Sequence, residues 1–140
     1  MKPIFLTDKD YQQLYKMVQE QHHTSWPYEV DALGKELKRA RIMPSREIPP
    51  DVITMNSIVQ IKETQSAAGI KFRIVYPHDA NPRKQMISVL APVGTAIIGC
   101  QVGDEVAWEV LDETHSYTVE KILYQPEAAG DVSFSENSPV

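Results

Sequence analysis

Between Met86 and Trp108 the apolar positions switch from strand spacing to a helical cluster and back again. Ile87, Val89 and Ala91 alternate as a half-buried strand does, and Pro92 sits where a first helical position needs no N–H donor. Val93, Ala96, Ile97 and Ile98 then predict a helix too short and too apolar to stand away from a sheet, with Gly99 as its C-terminal stop. Val102-Gly103-Asp104 turns the chain into a second alternating run, Val106, Trp108 and Val110. The expected product is an exposed loop, Leu90–Gly94, held between two strands, and such a loop suits partner binding better than chemistry.

Towards the N-terminus the period is helical. After the apolar Ile4-Phe5-Leu6, Thr7 or Asp8 can cap a helix whose apolar positions are Tyr11, Leu14, Tyr15 and Val18, ending near Gln21. The segment His22–Pro27 breaks it, and Pro27 with Glu29 and Asp31 makes a good first turn for a second helix. Val30, Leu33, Leu37 and Ala40 share one side of that helix, so the two are expected to form a short antiparallel hairpin over residues 1–45. Met43–Asp51 holds three prolines and marks the boundary with a body over 46–126. The body reads as five strands. Val52–Lys62 comes first, bent at Asn56-Ser57, and Ile70, Phe72, Ile74 and Tyr76 alternate in the second. The two runs flanking the short helix are third and fourth. Tyr117–Tyr124 is the fifth, with a bulge expected where the apolar phase shifts between Val119 and Ile122. The fold class is therefore α+β, a helical hairpin followed by a mostly antiparallel five-stranded sheet with one short helix. Residues 127–140 are polar and expected to be disordered.

Composition narrows the function classes. With 140 residues and 42% hydrophobic content, the chain can build one real core but hardly two domains. No run approaches the roughly 20 apolar residues of a membrane helix, and the N-terminus lacks a secretion signal. A single cysteine, Cys100, rules out an internal disulfide and fits a reducing cytoplasm, where the protein is expected to work as a monomer. The net charge of −5 argues against general affinity for nucleic acid. That charge is uneven, about +1 over residues 1–45 and −6 over the rest, which points to a protein partner with basic surface.

Candidate chemistry is sparse. Lys35, Lys38, Arg39 and Arg41 gather near the end of the second helix, where they suit its dipole as well as they suit a phosphate. Glu29 and Asp31 are either ordinary first-turn acids or a pair assisting a metal. His22, His23, Glu20 and His78 lack the spacing of a metal site, so no metal or other cofactor is expected. Trp26 either staples the hairpin tip or serves as a contact anchor there, whereas Trp108 is in phase with core positions.

Several separated segments carry a family resemblance. Ala91-Pro92-Val93-Gly94-Thr95-Ala96-Ile97-Ile98-Gly99 followed by Val102-Gly103-Asp104 resembles the C-terminal domain of the Gre transcript cleavage factors. Pro50–Ser57, Val75-Tyr76-Pro77 and Tyr124–Asp131 are similar to the nucleoside diphosphate kinase regulators within that family. The resemblance implies an FK506-binding-protein-like body and an RNA polymerase partner, gripped at the rim helices of the largest subunit beside the secondary channel. It places the docking contact on Leu90, Ala91, Pro92 and Val93, although Gre proteins tend to be polar where this chain has Leu90-Ala91. In Gre factors a long coiled coil carries acidic residues down to a catalytic Mg²⁺. Here each predicted helix has about 14 residues and a reach of roughly 20 Å, and the tip residues Trp26, Glu29 and Asp31 do not match the Gre acidic motif. The expectation is a regulator that competes with Gre factors at the channel without promoting cleavage, and that affects nucleoside diphosphate kinase only indirectly. Two alternatives stand beside it. The implied fold is shared with peptidyl-prolyl isomerases, whose pocket Phe72, Tyr76, Trp108 and Tyr117 would have to line, and the chain can also serve as a module for some other protein.

Overall fold

In the computed structural model, residues 3–20 and 27–131 are described. The N-terminal part is a strand, two helices and a strand: β1 (Ile4–Thr7), α1 (Asp8–Glu20), α2 (Pro27–Arg39) and β2 (Ala40–Met43). Thr7 starts α1 by accepting the Asp10 amide on its hydroxyl at 3.0 Å. Leu14 on α1 and Val30, Leu33 and Leu37 on α2 are buried, as their spacing predicts. Tyr15 departs from that pattern: it is 49% exposed and lies against Tyr11, ring centroids 6.0 Å apart.

Two features correct the sequence reading of this part. Ile4-Phe5-Leu6 is a strand, and Ala40 leaves the helix to begin another, β1 and β2 pairing in parallel from Ile4↔Ala40 to Thr7↔Met43. The pair joins the arm to the rest of the molecule. Ile4 and Leu6 belong to the same buried cluster as Ile53, Val59, Ile74, Ile97 and Val119, and the Phe5 amide donates to the Gly99 carbonyl at 3.0 Å.

The body is a five-stranded sheet of β3 (Ile58–Glu63), β4 (Gly69–Val75), β5 (Met86–Ser88), β6 (Glu105–Val110) and β7 (Glu113–Tyr124), in the order β5-β4-β3-β7-β6. Within this sheet only the β4–β5 pairing is parallel. The bulge expected in the last strand is present, since Gln60 pairs with Lys121 but Ile61 with Val119. The first strand starts later than Val52. Residues 52–57 form a buried, irregular segment in which Thr54 and Ser57 bond each other and three further amides are satisfied from outside: Ile53 N–H by Cys100 O at 2.8 Å, Asn56 N–H by Ile74 O at 2.7 Å, and Met55 N–H by the Asp10 carboxylate at 3.0 Å.

The short helix α3 (Pro92–Ile97) begins at Pro92 and is followed by Gly99 in the left-handed region. A final turn of helix, α4 (Pro126–Ala129), lies beyond the expected end of the ordered chain. Gln125 explains it, capping the Ala128 amide while its own amide nitrogen donates to Pro49 O at 2.8 Å and Val52 O at 2.7 Å. The polar composition that suggested disorder from residue 127 is here used for anchoring. The remainder of that segment, from 132, lies outside the described residues.

Candidate docking groove

The β5–α3 corner is rigid for reasons written in its residues. Gly94 brings α3 so close to the preceding strand that a Cβ there would sit 2.3 Å from Ser88 O and 2.8 Å from Val89 Cα. Thr95 donates its hydroxyl to Val89 O at 2.7 Å, and the Leu90 amide donates to the Ser88 hydroxyl at 3.0 Å. The loop expected to be open over Leu90–Gly94 is therefore narrower: Leu90 and Gly94 are buried, Ala91 and Val93 are half-buried, and Pro92 is exposed. Leu90 contributes through packing, and Pro92 is the exposed residue of this corner.

Pro92 stands on the rim of a groove of about 1000 Å³ between α2 and the outer edge of the sheet. Leu90, Ala96, Val106 and Trp108 supply apolar lining, with Asp31, Lys35 and Arg39 across from them on α2. The Arg39 guanidinium is held by Glu36, Nη2 lying 2.7 Å and Nε 2.9 Å from the carboxylate. Trp108 stacks between Tyr117, at 5.0 Å, and His115, at 6.0 Å, so the groove wall is stiffened by an aromatic ladder. Cys100 also borders the groove, but burial, helped by Asp104, pushes its thiol up to about 12. A thiol held protonated is no nucleophile.

The structure thus brings Leu90, Pro92 and Asp31 of the predicted contact residues to one cavity. Trp26 and the side chain of Glu29 lie outside the described residues. Of the four aromatics an isomerase pocket would need, Phe72, Tyr76 and Tyr117 are buried in the core cluster, and Trp108 alone lines the groove. Among the described residues no group of His, Cys, Asp or Glu is arranged to hold a metal ion, and no helix is long and apolar enough to cross a membrane.

One polar cluster was not anticipated. Asp10 is 5% exposed, and its pKa is pushed up to about 7, chiefly by burial and then by the nearby Glu127 carboxylate. Glu127 accepts the Thr54 hydroxyl at 2.7 Å and is itself shifted upward by burial. The Tyr76 hydroxyl, buried with no hydrogen-bond partner among the described residues, is raised by burial and by both carboxylates. These groups join α1, the irregular 52–57 segment and α4, and they hold the arm to the body rather than present chemistry to solvent.

Comparison with known proteins decides the family. Residues 48–124 match the model for "Transcription elongation factor, GreA/GreB, C-term". The chain belongs to the GreA/GreB family. Among its relatives the regulator of nucleoside diphosphate kinase of Escherichia coli is 36% identical over 130 residues, spanning 91% of this chain and 94% of that protein. GreA of Clostridium acetobutylicum is 37% identical over 83 residues, which cover 59% of this chain and 52% of that factor. A solved GreA/GreB-type factor from Nitrosomonas europaea superimposes with a TM-score of 0.72 at 33% identity, over 86% of this chain and 99% of that one. The GreA/GreB match begins close to the end of β2, so it covers the sheet, α3 and the groove's inner wall, while the kinase regulator aligns along the helical arm as well.

Proposed function

We propose that this protein is an RNA polymerase-binding transcription regulator that docks near the secondary channel and competes with Gre factors without promoting transcript cleavage. The observation that carries this reading is the length of the arm. Each of α1 and α2 has 13 residues, a reach of roughly 20 Å at 1.5 Å per residue. Taken as an antiparallel hairpin on an FK506-binding-protein-like base, such an arm enters the channel mouth and stops short of the catalytic magnesium. Asp31, early in α2, lines the groove beside Pro92 rather than the far end of the arm, and there it has no metal to assist. Docking falls to the β5–α3 corner, where Pro92 is exposed on a backbone that Gly94 and Thr95 hold in place. Any influence on nucleoside diphosphate kinase follows from altered transcription.

The test is a cleavage assay on a backtracked elongation complex, with and without a Gre factor. We expect the protein alone to release no cleaved RNA and, in excess, to suppress Gre-dependent cleavage. Pro92→Glu keeps a residue suited to a helix start but places a charge on the contact, and it should abolish that suppression. Intrinsic cleavage by the unaltered chain, or suppression indifferent to Pro92→Glu, overturns the reading.

A further inference from the structure

The β6–β7 hairpin outruns its sheet. β3 accompanies β7 only from Tyr124 to Tyr117, so the rungs Trp108↔His115, Glu109↔Thr114 and Val110↔Glu113 pair with each other alone. A free two-stranded ribbon is marginal in water, and here the Tyr117–Trp108–His115 ladder stiffens it at its base. At its apex the two turn residues, Leu111 and Asp112, have φ of +53° and +66°. Such a turn favours Asn, Asp or Gly at both positions, because a larger side chain pays a steric penalty in the left-handed region. Asp112 fits. Leu111 does not, and it gains nothing from the fold in return, being 92% exposed.

The apex is also strongly acidic. No Lys or Arg occurs between Lys84 and Lys121, and the ribbon carries Glu105, Glu109, Asp112 and Glu113. An apolar side chain at the end of a stiffened finger, flanked along the ribbon by Glu109, Asp112 and Glu113, complements an apolar pocket bordered by Lys or Arg. The finger leaves the sheet beside the groove, since Trp108 both lines the groove and forms the ribbon's first free rung.

We propose that Leu111 is a second anchor on RNA polymerase, inserting into a basic-rimmed apolar pocket on the polymerase surface while the Pro92 corner makes the first contact. This rests on the reading of the protein as polymerase-binding. Two separated contacts fix orientation as well as affinity, so the finger would set the angle at which the arm meets the channel.

Binding of purified core polymerase to the full chain tests this with three variants of the finger, beside Pro92→Glu. Leu111→Asn places the residue the turn prefers, so melting should hold or rise while affinity falls by roughly tenfold, the loss expected for one buried leucine. Leu111→Met keeps an apolar anchor and should bind like the unaltered chain. Neutralising Glu109, Asp112 and Glu113 to their amides should flatten the salt dependence of binding. Equal affinity for Leu111→Asn and the unaltered chain overturns the second anchor. If Pro92→Glu nevertheless abolishes binding in that experiment, the docking reading survives without it. Failure of the unaltered chain to bind polymerase overturns both.

Discussion

Among single residues Asp10 is pulled in two directions. Its position in the first turn of α1 and its bonds from Thr7 and Met55 all favour the charged form, yet burial outweighs them and Glu127 adds to the upward shift. The folded pKa is about 7 against an ordinary 3.8, so between those values the folded chain holds a proton that the unfolded chain has lost. The stability this proton brings is complete below the ordinary value and is lost as pH rises through 7, at up to about 1.4 kcal/mol per unit. Glu127 is shifted the same way, with Lys9 opposing it, and so adds to the slope. Asp10→Asn still offers Met55 a carbonyl acceptor but cannot ionise. Melting curves from pH 5 to pH 8 should show this variant gaining on the unaltered chain as pH rises. Parallel curves would mean that the carboxyl is not buried as described.

At the level of elements, legibility followed the locality of the interaction that fixes each one. Helix α1, helix α2 and the bulge in β7 were readable because their signals, the Thr7 cap, the leucine spacing and the phase slip after Val119, lie within the element itself. The β1–β2 pair was not, since four-residue strands carry no period and their partners lie across both helices. Residues 52–57 resembled a strand by hydrophobicity, but Asn56 in the left-handed region and the bonds to Asp10, Ile74 and Cys100 hold them off the ladder. Pro92 announced the start of α3, whereas the groove did not show, because Lys35, Arg39 and Trp108 line it from separate elements. Gly34 illustrates a choice inside an element that packing does not require. It sits within α2, and a Cβ there would stand 3.8 Å from Val18 Cγ1 of α1, an ordinary contact. Gly34→Ala should therefore stabilise the arm by about 0.5–1 kcal/mol and raise the melting temperature by a few degrees. A lower melting temperature would show that the two helices lie closer than this.

For the molecule as a whole, the central question is what holds the arm at a fixed place on the body, because the action by reach proposed above needs aim as well as extension. Three joints do so: the shared apolar core, the Asp10 carboxylate on Met55, and β1 laid against the turn after α3. The third depends on Gly99. Its φ is +79°, and a Cβ there would lie 2.8 Å from Ile4 Cβ and 3.0 Å from Phe5 O, so no side chain fits without displacing β1. Gly99→Ala should thus act on the arm before the sheet. Hydrogen exchange should quicken at the β1 and α1 amides while those of β3 and β7 keep their protection, and the melting temperature should fall by several degrees, as overpacking of about 1–3 kcal/mol implies. On the proposed docking, the same variant should still bind polymerase through Pro92 in the cleavage assay yet suppress the Gre reaction poorly, since a loosened arm fills the channel mouth less well. Uniform loss of protection across arm and sheet would show instead that the two unfold as one unit, and that the arm's aim cannot be altered separately from the fold.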